Sequence, residues 1–136
     1  MLVELGTLFT TFFMTGLIWF VQIVHYPLFE KVGKEVFVEY EKSHTQLTGY
    51  LVAPMMIAEF AFTSLWLYQS PNLSLWMAFV LLLIIWASTF FVQVPLHGHL
   101  SKNYKARHIK KLVRSNWIRT IAWTLKSGVL LAGLLY

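Results

Sequence analysis

Two stretches of this chain, Leu5–Val24 and Ser74–Leu96, contain no charged residue; Leu47–Tyr68 contains only Glu59, and Thr120–Tyr136 only Lys126. A bilayer core about 30 Å thick is crossed by about 20 apolar residues at 1.5 Å each, so the first three runs are long enough and the fourth just reaches. The competing reading is a soluble helical core. With 57% of 136 residues hydrophobic and 12% charged, too little polar surface remains to coat four such runs. The pattern predicts an all-α integral membrane four-helix bundle as one domain, residues 1–136, with helices about 5–26, 46–68, 74–97 and 116–136. Met1-Leu-Val-Glu lacks a basic leader and the first run lacks a small-residue cleavage site, so no cleavable signal is expected. There is no cysteine, hence no disulfide and no thiolate ligand, and every acidic residue is a glutamate.

Orientation follows from the basic residues. Lys31, Lys34 and Lys42 follow the first run, and Lys102, Lys105, Arg107, Lys110, Lys111, Arg114 and Arg119 follow the third. Those are ten of the eleven, all toward one side, while the short QSPNLS turn carries none. The positive-inside rule then puts both basic loops in the cytoplasm and both termini on the non-cytoplasmic side, in a bacterial inner membrane. The net charge of +5 reads as a topology signal with an attraction to anionic lipid, not as a nucleic-acid footprint.

A polar phrase occurs twice, as FVQIVHYPLF from Phe20 and FVQVPLHGHL from Phe91. Gln22 and His25 are three apart, and Gln93 and His97 four apart, so each pair is expected on one helix face. The two helices run in the same direction, which fits two duplicated helical hairpins. A bilayer cannot satisfy a glutamine, so Gln22 and Gln93 should face the bundle interior. Between Phe29 and His44, the residues Phe29, Val32, Val36, Phe37 and Tyr40 recur at helical spacing, which predicts a short amphipathic helix along the membrane surface. That stripe carries His44 inward, with Glu41 one turn before it. A second interfacial helix is expected between Leu100 and Trp117. Trp66, Tyr68 and Trp76, and on the basic side Tyr26, Tyr50, Tyr104 and Trp117, read as aromatic belts.

Two charges fall inside the spans. Glu59 is roughly 15 Å past Gly49, and Lys126 roughly 10 Å past Arg119, so the two can pair. An unpaired charge at that depth costs about 3 kcal/mol or more, which makes each of them a candidate functional residue.

The HYP that ends the first helix, the glutamate in the second, VPLHGHL ending the third and NWIRTIAWT opening the fourth together resemble a group of small bacterial four-helix membrane proteins. That group is distantly similar to the anthrone-oxygenase-like membrane family, whose members share a histidine–proline close to helix 1. The resemblance implies a role in oxidising or binding a small molecule, with His25, Asn116 and Arg119 as the matching polar residues.

Three function classes follow. The first is a membrane oxidoreductase or oxygenase-like protein holding iron, copper, zinc or haem through His25, His44 and His97, with Glu41 or Glu59 completing the shell and Gln22 beneath His25. In that reading Glu59 and Arg119 are catalytic, and Gln22, Gln93, Asn116 and Lys126 bind the cofactor. The second is a binding or transport protein using a Glu59/Lys126 path, and the third a structural subunit. The expected partners are the lipid bilayer and a small hydrophobic molecule, with no nucleic acid and with homo-oligomers left open.

Overall fold

A computed structural model of the chain describes residues 1–135; Tyr136, at the end of the expected fourth helix, lies outside the described residues. Four helices form an up-down-up-down bundle: α1 Leu2–Lys31, α2 Phe37–Gln69, α3 Leu73–Leu100 and α4 Ala106–Leu135. Each is long and apolar enough to cross a membrane. Each helix packs on its chain neighbours and α4 closes back on α1, so α1 and α3 are parallel and lie on one diagonal. Asn72 stops the turn after Pro71 by accepting the Leu75 amide at 3.0 Å, an N-cap that starts α3. Large apolar side chains such as Phe9, Phe20, Ile57, Phe91 and Ile121 point outward. An apolar surface of that kind belongs in lipid, and the protein is an integral membrane protein.

The helices are longer than expected. α2 has 33 residues and α4 has 30, roughly 50 and 45 Å, against about 30 Å of hydrocarbon. The two amphipathic segments are therefore not separate interfacial helices. Phe37 onward forms the first turns of α2, Ala106 onward forms the first turns of α4, and Phe29–Lys31 closes α1. The physical reason is that neither junction contains a breaker: EKSHTQLTG and KKLVRSNWIR hold no proline, so the helical period runs on into each span. Pro54 likewise leaves α2 helical throughout.

The repeated phrase marks a repeated local structure. Val21–His25 in α1 and Thr89–Gln93 in α3 are both π-helical turns, each followed within two residues by a proline, Pro27 and Pro95. A proline cannot donate its amide to the preceding turn, and one extra residue in that turn accommodates it.

The interior is layered. Tyr26, Phe29, Phe37, Leu100, Ile109 and Leu112 form an apolar cluster at the basic end. Met14, Ile18, Met56, Ile85 and Trp123 form one at mid-depth, and Leu67, Leu75, Ala78 and Leu130 one near the termini. Close approach at the terminal end depends on glycine: a Cβ on Gly6 would stand 2.9 Å from the Phe62 ring, and one on Gly133 2.8 Å from Ser74. Polar groups occupy the spaces between the apolar layers.

Candidate functional site

The polar layer at the basic end is built on the two π turns. Gln22 and Gln93, 3% and 2% exposed, both turn toward α4. Gln22 donates to the Val113 carbonyl at 3.1 Å and accepts from Asn116 at 2.9 Å and Thr120 at 3.2 Å. Gln93 donates to Ser115 Oγ at 3.0 Å. The extra residue in the first π turn separates Gln22 from the histidine three positions on. Gln22 therefore faces Asn116 rather than orienting His25, contrary to the expected shared face.

Asn116 passes the network to Arg119, accepting from its Nε at 3.0 Å and its Nη2 at 2.6 Å. Arg119 also donates to Tyr26 Oη at 3.3 Å and, more weakly, to Thr89 Oγ1 at 3.4 Å. Tyr26 Oη lies 2.9 Å from His97 Nε2, and His97 Nδ1 is hydrogen-bonded to the Glu41 carboxylate. Glu41 is fully buried although it belongs to a run with Glu39 and Lys42, because the amphipathic stripe turns it inward. An ionised carboxylate only accepts, so with Glu41 ionised and His97 neutral the imidazole proton lies on Nδ1 and Nε2 can accept from the Tyr26 hydroxyl. The result is a buried chain Glu41–His97–Tyr26–Arg119–Asn116–Gln22 that links all four helices.

His25 and His44 lie beside it. His25 Nε2 is 2.9 Å from His44 Nδ1, and Thr48 Oγ1 is 3.1 Å from the same nitrogen. The ring centroids are 4.7 Å apart for His25 and His44 and 5.4 Å for His44 and His97, so the three expected imidazoles do come together. In this arrangement they do not form a three-ligand site for a metal ion. Both nitrogens of His97 and the inner nitrogen of His44 are already hydrogen-bonded within the protein. Among the described residues no group of three or more histidine or acidic side chains is placed to hold an ion.

A cavity of about 560 Å³ opens beside this network. His44, His97, Tyr26, Gln93 and Arg119 line its polar end, and Met14, Ile18, Val52, Met56, Trp86 and Trp123 its apolar remainder. The exposed lining residues, Gly49, Ala53 and Ile57 on α2 and Phe90, Val94 and Gly98 on α3, define a mouth between those two helices. Gln93 Oε1 and Trp86 Nε1 are buried without hydrogen-bond partners; both residues line the cavity. A group that cannot reach water and has no protein partner is one a bound molecule can satisfy.

Glu59 and Lys126 pair at mid-depth, both fully buried, at 2.7 Å. Lys126 also donates to Thr11 at 2.9 Å and Thr63 at 3.1 Å, so all its protons are used, while Trp123 Nε1 donates to both Glu59 oxygens. The layer of Met14, Ile18, Met56 and Ile85 stands between this pair and the histidines. Glu59 and Lys126 are therefore not brought into the site with Arg119 and Asn116. The Trp123 indole, which lines the cavity and holds Glu59, touches both regions.

Tyr26, Trp123, Thr89 and Ser115 were not among the expected site residues. Tyr26 had read as an aromatic-belt residue; its place between His25 and Pro27, inside the repeated phrase, was the available signal. Fold and site together define an integral membrane four-helix bundle with a laterally open cavity that ends on a buried acid–base chain. No family model, curated protein or solved structure matches the chain.

Proposed function

We propose that this protein takes a small hydrophobic molecule from the bilayer through the gap between α2 and α3 and carries out proton transfer on it at Tyr26. The observation that carries this reading is that Tyr26, on the cavity wall, touches both His97 and Arg119. As the Tyr26 oxygen takes a proton from a phenolic or enolic ligand, its own proton passes to His97 Nε2. Glu41, buried against Nδ1, stabilises the imidazolium that forms. Arg119 offsets the negative charge developing on oxygen. A phenol or enol deprotonated in this way carries its negative charge at the end of the cavity that Arg119 occupies. The apolar walls hold the remainder of the molecule, as is usual in small-molecule sites.

The test is extraction. Protein purified in detergent should release a lipophilic molecule into organic solvent, detected by mass spectrometry. Ala53→Trp, which fills the mouth, should release about tenfold less, a loss of about 1.4 kcal/mol in binding. Equal release from both proteins, or none from either, would remove the reading.

Sidedness is part of the proposal, since the relay then lies near the cytoplasmic face with both termini opposite. Single cysteines at Ser70 and Asn103, both exposed in turns, are probed on intact cells with an impermeant thiol reagent. Ser70→Cys should label and Asn103→Cys should not; the reverse pattern would invert the protein.

A further inference from the structure

The excess positive charge of the molecule is confined to one short segment. Lys31, Lys34 and Lys42 lie among Glu30, Glu35 and Glu39; Lys126 has Glu59, and Arg119 has Glu41 at the far end of the relay. Glu4 pairs with the chain's amino group. What is left is Lys102, Lys105, Arg107, Lys110, Lys111 and Arg114, a segment without a single acid, all exposed. Among the described residues none of these six is within salt-bridge reach of a carboxylate, since the ion pairs present are those of Glu4, Glu41 and Glu59.

Arg107, Lys110, Lys111 and Arg114 recur at three and four spacing on one face of α4, where they line a shallow groove with Ala106 and Ser115. Like charges at such spacing repel, a cost that a bound anion removes. The same exposed stripe continues down the helix as Trp117, Ile118 and Ile121, which are 39%, 46% and 53% exposed. The face thus changes from cationic to apolar within one turn, at the depth where a helix that overshoots the bilayer enters it. That sequence of chemistry matches a phospholipid lying along a helix, with its phosphate at the arginines and lysines and its acyl chain against the tryptophan and isoleucines.

We infer that this face of α4 is a binding site for the headgroup of an anionic phospholipid. It is separate from the cavity, which opens between α2 and α3, and does not depend on what the cavity binds. The site is read by native mass spectrometry of the detergent-purified protein offered equimolar phosphatidylglycerol and phosphatidylcholine. Two engaged cations supply roughly a thirtyfold preference for the anionic lipid. Arg107→Gln, Lys110→Gln, Lys111→Gln and Arg114→Gln together should abolish that preference. Lys31→Gln, Lys34→Gln and Lys42→Gln, at the same end of the bundle, should leave it intact. If the quadruple variant does not accumulate, Arg107→Gln and Arg114→Gln singly should each lose about fivefold. Equal retention of the two lipids, or a preference that survives the quadruple change or falls equally in the control, would overturn the inference. Inorganic phosphate offered without lipid should leave no adduct. An adduct lost with the quadruple change would reassign the face to a soluble anion and overturn it as well.

Discussion

Glu59→Gln should cost about 3–5 kcal/mol of stability, because it leaves the Lys126 ammonium in the middle of the bundle without its counter-charge. Thr11 and Thr63 still accept two of its protons, but neither carries charge. Thr11 is roughly 14 Å along α1 from Leu2, near the centre of the hydrocarbon, where water cannot substitute. Trp123 also depends on Glu59, since its indole N–H has both carboxylate oxygens and a glutamine offers only one. The double variant Glu59→Gln with Lys126→Met should recover much of the loss, as removal of both partners of a buried pair often does. Thermal unfolding in nanodiscs, followed by tryptophan fluorescence, gives the comparison. Strictly additive damage in the double variant would show that the two charges act separately.

Tyr26→Phe should lower turnover of the molecule recovered from the cavity by about 10²–10⁴-fold, the usual contribution of a positioned acid or base. Binding should change far less, because the phenyl ring keeps the apolar contacts with Phe29 that seat residue 26. Glu41→Gln acts through His97 and should also reduce turnover. Combined with Tyr26→Phe it should add little, since residues that work as a unit lose their effect together. A Tyr26→Phe protein that turns over at the original rate, or that loses binding and turnover in parallel, would take Tyr26 out of the chemistry.

The fold was legible because a bilayer leaves a chain few choices. Four runs with at most one charge each must be helices, and a lone Glu59 and a lone Lys126 inside two of them were within reach of one another, a pair the structure contains. The site was legible in part. The repeated Phe-Val-Gln phrase pointed to Gln22 and Gln93 as interior residues, and both are buried against α4. It did not reveal the π turns: Pro27 and Pro95 follow them, but Pro54 sits in α2 without one, so a proline alone does not announce the extra residue that rotates every side chain beyond it. That rotation is why Gln22 serves Asn116 and not His25. Glu41 was legible only as a neighbour of His44, one turn before it; its burial and its partner were not, because the reach from α2 to His97 on α3 is set by how two helices pack, which no spacing within one of them encodes. Tyr26 is the remaining case. A tyrosine at a helix end next to lipid is ordinary; its place inside the repeated phrase was the one signal in the sequence, and its contacts with His97 and Arg119, seventy-one and ninety-three positions away, come only with the fold.

The mouth between α2 and α3 changes what concentration means for this protein. Gly49, Ala53 and Gly98 are exposed at a mouth between two spans, and in the function proposed above that mouth is entered from the bilayer. A molecule that enters by this route is counted per lipid, not per litre. Its occupancy follows its mole fraction in the membrane, and the bilayer serves as both reservoir and competitor. A compound hardly measurable in the aqueous phase can then saturate the cavity, and enlarging the membrane at constant total compound dilutes it as surely as adding solvent would.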